Sequence, residues 1–219
     1  MAESFKDQVD AITGFGTTEN DALSDWLTAG ARLVLNAMPI HKLERIISDE
    51  SSDFGDGGLD VEGKRIVEVF RKDGANSDTN LRYFHPARKI GVKMKGRATD
   101  SSYMEFASAT DPAYYIDEQK LFVLPAMDGN NYANVSFIDT SITVAHGDGA
   151  SGIANFPDEA EYAVVLYAAR QALERKVSDA NADEDVELAS SFSNQYALVD
   201  AQYKEALQIL GIEEIEERK

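Results

Sequence analysis

Apolar residues recur three or four positions apart near both ends of this chain and alternate with polar ones in its middle. That pattern predicts helices, then strands, then helices. Toward the carboxy terminus Tyr162, Val165, Leu166, Ala169, Leu173 and Val177 fall on one helical face, and Leu188, Phe192, Tyr196, Val199, Tyr203, Leu207 and Leu210 make a second stripe. Pro157 suits a first helical turn because its missing N–H needs no partner there, and Asp158, Glu159 and Glu161 sit where the helix dipole favours anions. Residues 178–185 read as the turn of a helical hairpin, and Gly211 stands where a left-handed cap would close it.

At the other end, Phe5, Val9 and Ile12 form a short stripe that stops at Gly14, Phe15 and Gly16. Thr18 and Asp21 have the spacing of a capping pair. After them Leu23, Trp26, Leu27, Gly30, Ala31, Val34 and Met38 keep to one face until Pro39 interrupts. The lone tryptophan, Trp26, reads as a core anchor between this helix and the carboxy-terminal hairpin. Leu43, Ile46 and Ile47 add one further turn.

Residues 48–60 change character, being serine, aspartate and glycine with only Phe54 and Leu59 as apolar members, and read as a mobile loop. Beyond it, residues 65–71 are rich in β-branched side chains. Tyr114, Tyr115 and Ile116 face residues 121–124 across a polar turn, and Val135/Phe137 and Ile142/Val144 alternate with polar neighbours. Parallel neighbours would need long crossovers, and no helical one is visible between Gly63 and Ala145, so these strands predict an antiparallel sheet. The expected fold class is α+β. Amino-terminal helices (1–47) and a carboxy-terminal hairpin (156–210) form a helical bundle in one domain, the acidic loop (48–60) and an antiparallel β module (61–146) are inserted, and residues 211–219 form a tail.

Charge narrows the function classes. Acidic residues number 39 against 21 basic, a net of −18, which repels phosphate backbones; a conduit through which DNA slides would benefit from that repulsion. The absence of cysteine excludes disulfides, thiolate zinc sites and cysteine nucleophiles. Nowhere is there an apolar run long enough for a signal core or a membrane span, so a soluble protein is expected.

Candidate chemistry is thin. A calcium-loop frame started at Asp49 supplies Ser51 and Asp53, then fails with Phe54 where glycine is needed and Asp60 where glutamate is expected; a looser carboxylate cluster of Asp53, Asp56 and Asp60 stays open. Residues 147–152 match a dinucleotide-binding glycine pattern. There, however, Asp148 opposes phosphate, Pro157 starts the helix several residues late, and the following element is a second helix instead of a strand. These glycines read as a flexible hinge from the sheet to the helical hairpin. His41, His85 and His146 lack chelating spacing, and no serine-nucleophile elbow exists. No catalytic, cofactor-binding or metal residue is assigned, no cofactor is expected, and the chain reads as a non-enzyme.

Three stretches carry a likeness: 18–39 (TENDALSDWLTAGARLVLNAMP), 103–125 (YMEFASATDPAYYIDEQKLFVLP) and 156–176 (FPDEAEYAVVLYAARQALERK). In these the chain resembles the head-to-tail adaptor, or connector, proteins of tailed bacteriophages, including the tail tubular adaptors of short-tailed phages. The 48–60 and 147–152 stretches have no counterpart in that pattern. The resemblance implies a structural virion protein of the neck, assembled in the host cytoplasm. It implies a homo-oligomeric ring, dodecameric in the family, beneath a portal protein and above a downstream tail or nozzle protein, with DNA passing through unbound and no membrane partner. It also implies that the tail extends along the portal, making Ile212, Ile215, Arg218 and Lys219 candidate contacts. By position and composition, the loops holding Ser77, Asn80, Asp128 and Asn131 are the candidate contacts on the tail side. The alternatives are another neck, tail-completion or baseplate part, or a small acidic ligand-binding protein or hydrolase.

Overall fold

A computed structural model describes residues 3–16, 20–52, 57–72, 84–127, 132–147 and 152–212. The helices are α1 (Phe5–Thr13), α2 (Asn20–Ala37), α3 (Lys95–Thr99), α4 (Asp158–Ala182) and α5 (Val186–Ile209). The strands are β1 (Ser48–Ser52), β2 (Leu59–Asp60), β3 (Lys64–Lys72), β4 (Phe84–Pro86), β5 (Arg88–Lys89), β6 (Ala113–Asp117), β7 (Lys120–Leu124) and β8 (Tyr132–Asp139). The chain is therefore α+β and ends in a helical pair. It divides into two compact units, 1–46 with 140–219, and 47–139.

In the first unit α4 packs against α1, α2 and α5. Its middle is consequently buried on every side: Ala163, Val164, Leu166, Ala168 and Ala169 are all covered, while Tyr162, at the predicted stripe's start, is exposed. A helix hydrophobic all round belongs at the centre of a core. Both ends of α1 are closed locally. Ser4 Oγ accepts from the Asp7 N–H while Asp7 Oδ2 accepts from the Ser4 N–H, and Gly14, at φ 73°, donates its N–H to the Asp10 carbonyl. On α2 the buried face is Leu23, Leu27, Ala31, Val34, Leu35 and Met38.

Two turns of 3-10 helix, Ile40–Lys42 and Glu44–Ile46, follow Pro39. Lys42 Nζ donates to the Ile209 carbonyl at 2.9 Å, a cation on the electronegative end of α5. The α5 start is capped by Asp185, whose Oδ1 accepts from the Leu188 N–H at 3.0 Å.

The second unit holds two sheets, with strand orders β1-β8-β3-β4 and β2-β7-β6-β5. The β6–β7 hairpin turns on Glu118 and Gln119, both at positive φ, the backbone a two-residue hairpin loop requires. Alternation along β6 and β7 serves two cores. Leu121, Val123, Tyr114 and Ile116 join Val69, Ala133, Val135 and Phe137 between the sheets. The other face offers Ala113, Tyr115, Phe122 and Leu124 to Ala98 of α3. A bulge between Ile66 and Glu68 interrupts the β3–β8 register.

Four expectations change here. Residues 48–52 are strand β1, not loop: this polar segment pairs antiparallel with β8 along an edge, where backbone hydrogen bonds replace the missing apolar face. Ile142 and Val144 are not in a strand. The hydroxyl of Thr28 bonds both the N–H and the carbonyl of Val144, Arg32 Nε donates to the Ile142 carbonyl, and Ser24 Oγ accepts from the His146 N–H, so side chains of α2 satisfy a backbone that would otherwise need a neighbouring strand. Strands β5 and β6 pair in parallel over two residues, and the crossover between them contains the short helix α3, which the sequence pattern did not reveal. The last correction concerns Trp26, which is half-buried; the smaller aliphatic side chains of α2 fill the core that it was expected to anchor. The hairpin turn is shorter than the predicted 178–185, since α4 runs to Ala182, while α5 starts at Val186 as expected.

Candidate interaction surfaces

Of the residues expected to touch a portal, Ile212 alone lies among those described, and its side chain is buried. The local reason is a two-bond helix stop. Gly211, at φ 74°, donates to the Gln208 carbonyl and Ile212 donates to the Leu207 carbonyl, both at 2.9 Å, and the Ile212 side chain folds back into the core as such caps favour. Ile215, Arg218 and Lys219 lie outside the described residues, as do Ser77, Asn80, Asp128 and Asn131.

The glycine-rich stretch meets α4 through a carboxylate. Gly152 has φ 68°, and the next N–H, that of Ile153, donates to Glu161 Oε1 at 2.7 Å. A protein carboxylate thus takes the anion-favouring place before the helix, and Pro157 holds the N-cap position with α4 starting after it. The carboxylates of the acidic segment are engaged within the sheet: Asp49 accepts from Ser136 Oγ, Glu50 pairs with Lys64 Nζ at 3.1 Å, and Asp60 accepts from the Glu62 N–H. Asp53 and Asp56 lie outside the described residues. Among the described residues no three His, Cys, Asp or Glu side chains converge as metal ligands. His146 Nδ1 lies 3.2 Å from Ser24 Oγ, bordering an open cleft of about 410 Å³ lined by Ser24, Asp25, Thr28, Thr143, Val144 and Ala145. Two of that cleft's hydroxyls are committed to the backbone of 144–146, so it is a seam between α2 and the segment packed on it.

Buried cations mark each unit. In the second, Lys72 is 1% exposed, donates to Tyr132 Oη at 2.7 Å, and lies 5.1 Å from the Phe84 ring centroid. In the first, Arg170 pairs with Asp200 at 3.3 Å and stacks near the rings of Tyr167 and Tyr203, 5.3 and 5.1 Å from their centroids. Lys204 shares Asp200 at 2.6 Å; that hydrogen bond, with the charge behind it, holds the Lys204 ammonium above the ordinary lysine range. Burial pushes the Tyr114 phenol up, and the Ser102 N–H and hydroxyl keep Asp100 below the usual carboxylate range. These groups brace the fold, and nothing places them around a common reacting atom.

The sequence pattern missed two exposed patches of opposite charge. In the second unit Arg88, Lys89, Lys93, Lys95 and Arg97 follow one another with no acidic residue before Asp100; Arg88 pairs with Asp111 at 3.4 Å and Arg97 with Glu105 at 3.7 Å, and exposed Val92, Tyr103, Met104 and Phe106 accompany them. In the first unit Asp183, Glu184, Asp185 and Glu187 surround Val186 and Leu188, which are 80% and 46% exposed, at the α4–α5 turn. The signal available for finding them was segregation: residues 79–99 contain no Asp or Glu, and residues 177–203 contain no Lys or Arg. Among the described residues no helix is long and apolar enough to cross a membrane. No protein-family model matches this chain, and no curated protein matches it either.

Proposed function

We propose that this chain is a structural virion protein, a head-to-tail adaptor that forms a ring between portal and tail through which DNA passes. The observation that carries the reading is an order of elements, amino-terminal helices, a β-rich middle and a carboxy-terminal helical pair, on a chain of net charge −18. In this reading the helices of the first unit form a bundle with α4 at its centre, and the β-rich unit is its insertion. A strongly negative lumen lets DNA slide without capture, because every lysine or arginine grip on phosphate would add binding energy that must be broken to move. Ile212 closes α5, so contact with the portal begins beyond it, at Ile215, Arg218 and Lys219. Ser77, Asn80, Asp128 and Asn131 are the proposed contacts with the next tail component.

Electron microscopy of the purified protein, alone and mixed with a portal protein from the same genome, tests this together with its mass in solution. Rings seated on the portal are expected. A strict monomer that ignores the portal refutes the reading. Deleting residues 77–80 is expected to leave folding intact and lower tail attachment; unchanged attachment removes that loop from the contact.

A further inference from the structure

We infer that the two oppositely charged patches are the halves of one contact between successive copies of this chain: the basic surface around Lys93, Arg97, Tyr103 and Met104 of one copy docks on the acidic α4–α5 turn of the next. Each patch has an apolar centre within a charged surround, the composition of a protein interface and not of a solvated face. Met104 is fully exposed and Val186 is 80% exposed, so both centres leave large side chains in water that a partner would cover.

The surrounds are complementary in sign, and the body around the basic patch is strongly acidic. A second copy brings Asp183, Glu184 and Glu187 together on its α4–α5 turn, opposite in sign to Lys93 and Arg97. Salt near physiological strength screens the bodies' mutual repulsion beyond about 8 Å and leaves pairs in contact interacting.

Both patches are held ready. Arg97 lies 5.7 Å from the Tyr103 ring centroid and 3.7 Å from Glu105, and the Phe106 N–H donates to the Tyr103 carbonyl. On the other side the turn is closed by the Asp185 N–H donating to the Ala180 carbonyl and by the Asp185 cap on Leu188. The backbone of both patches is thus fixed before contact, and the ordering cost that remains is that of the exposed side chains. Because the two patches differ, each bound copy leaves one of each kind free, and the contact propagates into a closed ring or a filament. The inference deepens the adaptor reading by naming the contact between ring neighbours; it rests on that reading only for closure.

Charge-reversed sets test it. Lys89→Glu, Lys93→Glu and Arg97→Glu together take the five cations from +5 to −1, and Asp183→Lys, Glu184→Lys and Glu187→Lys take the turn from −4 to +2, so each variant carries two patches of one sign; Asp185 is left in place because it caps α5. Sedimentation velocity at about 100 µM, where a contact of Kd near 10 µM is well populated, follows the full chain, with circular dichroism checking that each variant folds. The wild type is expected to self-associate, each variant alone to associate at least roughly tenfold more weakly, and an equimolar mixture to recover assembly, since every junction then joins opposite charges. Met104→Asp, which alters a side chain wholly in solvent, is expected to weaken the wild-type contact without affecting folding. A monomeric wild type, variants that associate as the wild type does, or a mixture that stays apart overturns the inference. The two readings fail separately: assemblies that obey charge reversal yet ignore the portal refute the adaptor role alone, and portal-seated rings indifferent to charge reversal refute the contact alone.

Discussion

Asp200→Ala removes the carboxylate that faces Arg170 across 3.3 Å between α4 and α5. The Arg170 side chain is 8% exposed and that of Asp200 20%, so one member of the pair is deeply desolvated and the other still touches water. Removing one partner of a fully buried pair costs about 3–5 kcal/mol, mainly because a charge is left behind without compensation. Water access at Asp200 and the retained aromatic faces of Tyr167 and Tyr203 lower this to an expected loss of about 2–3 kcal/mol. Lys204 provides an internal control. It shares the same carboxylate at 2.6 Å but is 68% exposed, so solvent screens the pair and Lys204→Ala is expected to shift the midpoint far less than Asp200→Ala. Replacing both members, Arg170→Met with Asp200→Ala, removes the buried cation together with its carboxylate and is expected to recover most of the single-variant loss. Urea denaturation followed by far-ultraviolet circular dichroism measures all four proteins; for a chain of this size about 2–3 kcal/mol corresponds to roughly 4–12 °C in Tm. An Asp200→Ala midpoint indistinguishable from wild type, or a double variant less stable than the single, would refute the view that Asp200 compensates Arg170.

Other outcomes follow from the same coordinates. Gly211→Ala forces a side chain onto φ 74° and is expected to cost about 1 kcal/mol by urea titration, while Ile212→Ala, which empties the buried half of the same cap, is expected to cost about 2–4 kcal/mol. A Cβ at Gly30 would lie 2.8 Å from Tyr167 Cδ1, so Gly30→Ala is expected to destabilise by about 1–3 kcal/mol unless the ring moves; a crystal structure of the variant with Tyr167 unshifted and stability unchanged would contradict this. Asp200 raises the folded-state pKa of Lys204, so any stability from that pair is fully present below the ordinary lysine pKa and disappears as pH rises through the higher folded value. Wild-type and Lys204→Ala denaturation midpoints are therefore expected to converge only at strongly alkaline pH, and convergence near neutrality would argue against the pairing.

Hydrophobic spacing located α2 and α5, because each buries one face and a 3.6-residue period then survives in the sequence. Leu23, Leu27, Ala31 and Val34 on α2 and Val199, Tyr203 and Leu207 on α5 fell where the spacing put them. Short-range chemistry was equally legible: Gly211 and Gly14 have left-handed angles, and the hairpin of β6 and β7 turns where polar residues separate two apolar runs. These features depend on residues within a few positions of one another, so the sequence determines them before anything folds around them.

Distant partners decided the rest. The central place of α4 was hidden because Ala163, Ala168 and Ala172 lie off the predicted stripe and become core only when α1, α2 and α5 close on them. Strand β1 carries no apolar alternation, since its pairing is made by backbone groups of β8, and Ile142 and Val144 alternate correctly yet bond to Thr28 and Arg32 on a helix. The composition of residues 79–99 and 177–203 is plain in the sequence, but whether those charges and apolar side chains stand in solvent depends on which of them the core leaves uncovered. Local pattern sets what each segment prefers to become; tertiary packing, which satisfies or strands each backbone and side-chain group, sets which face is left for a partner.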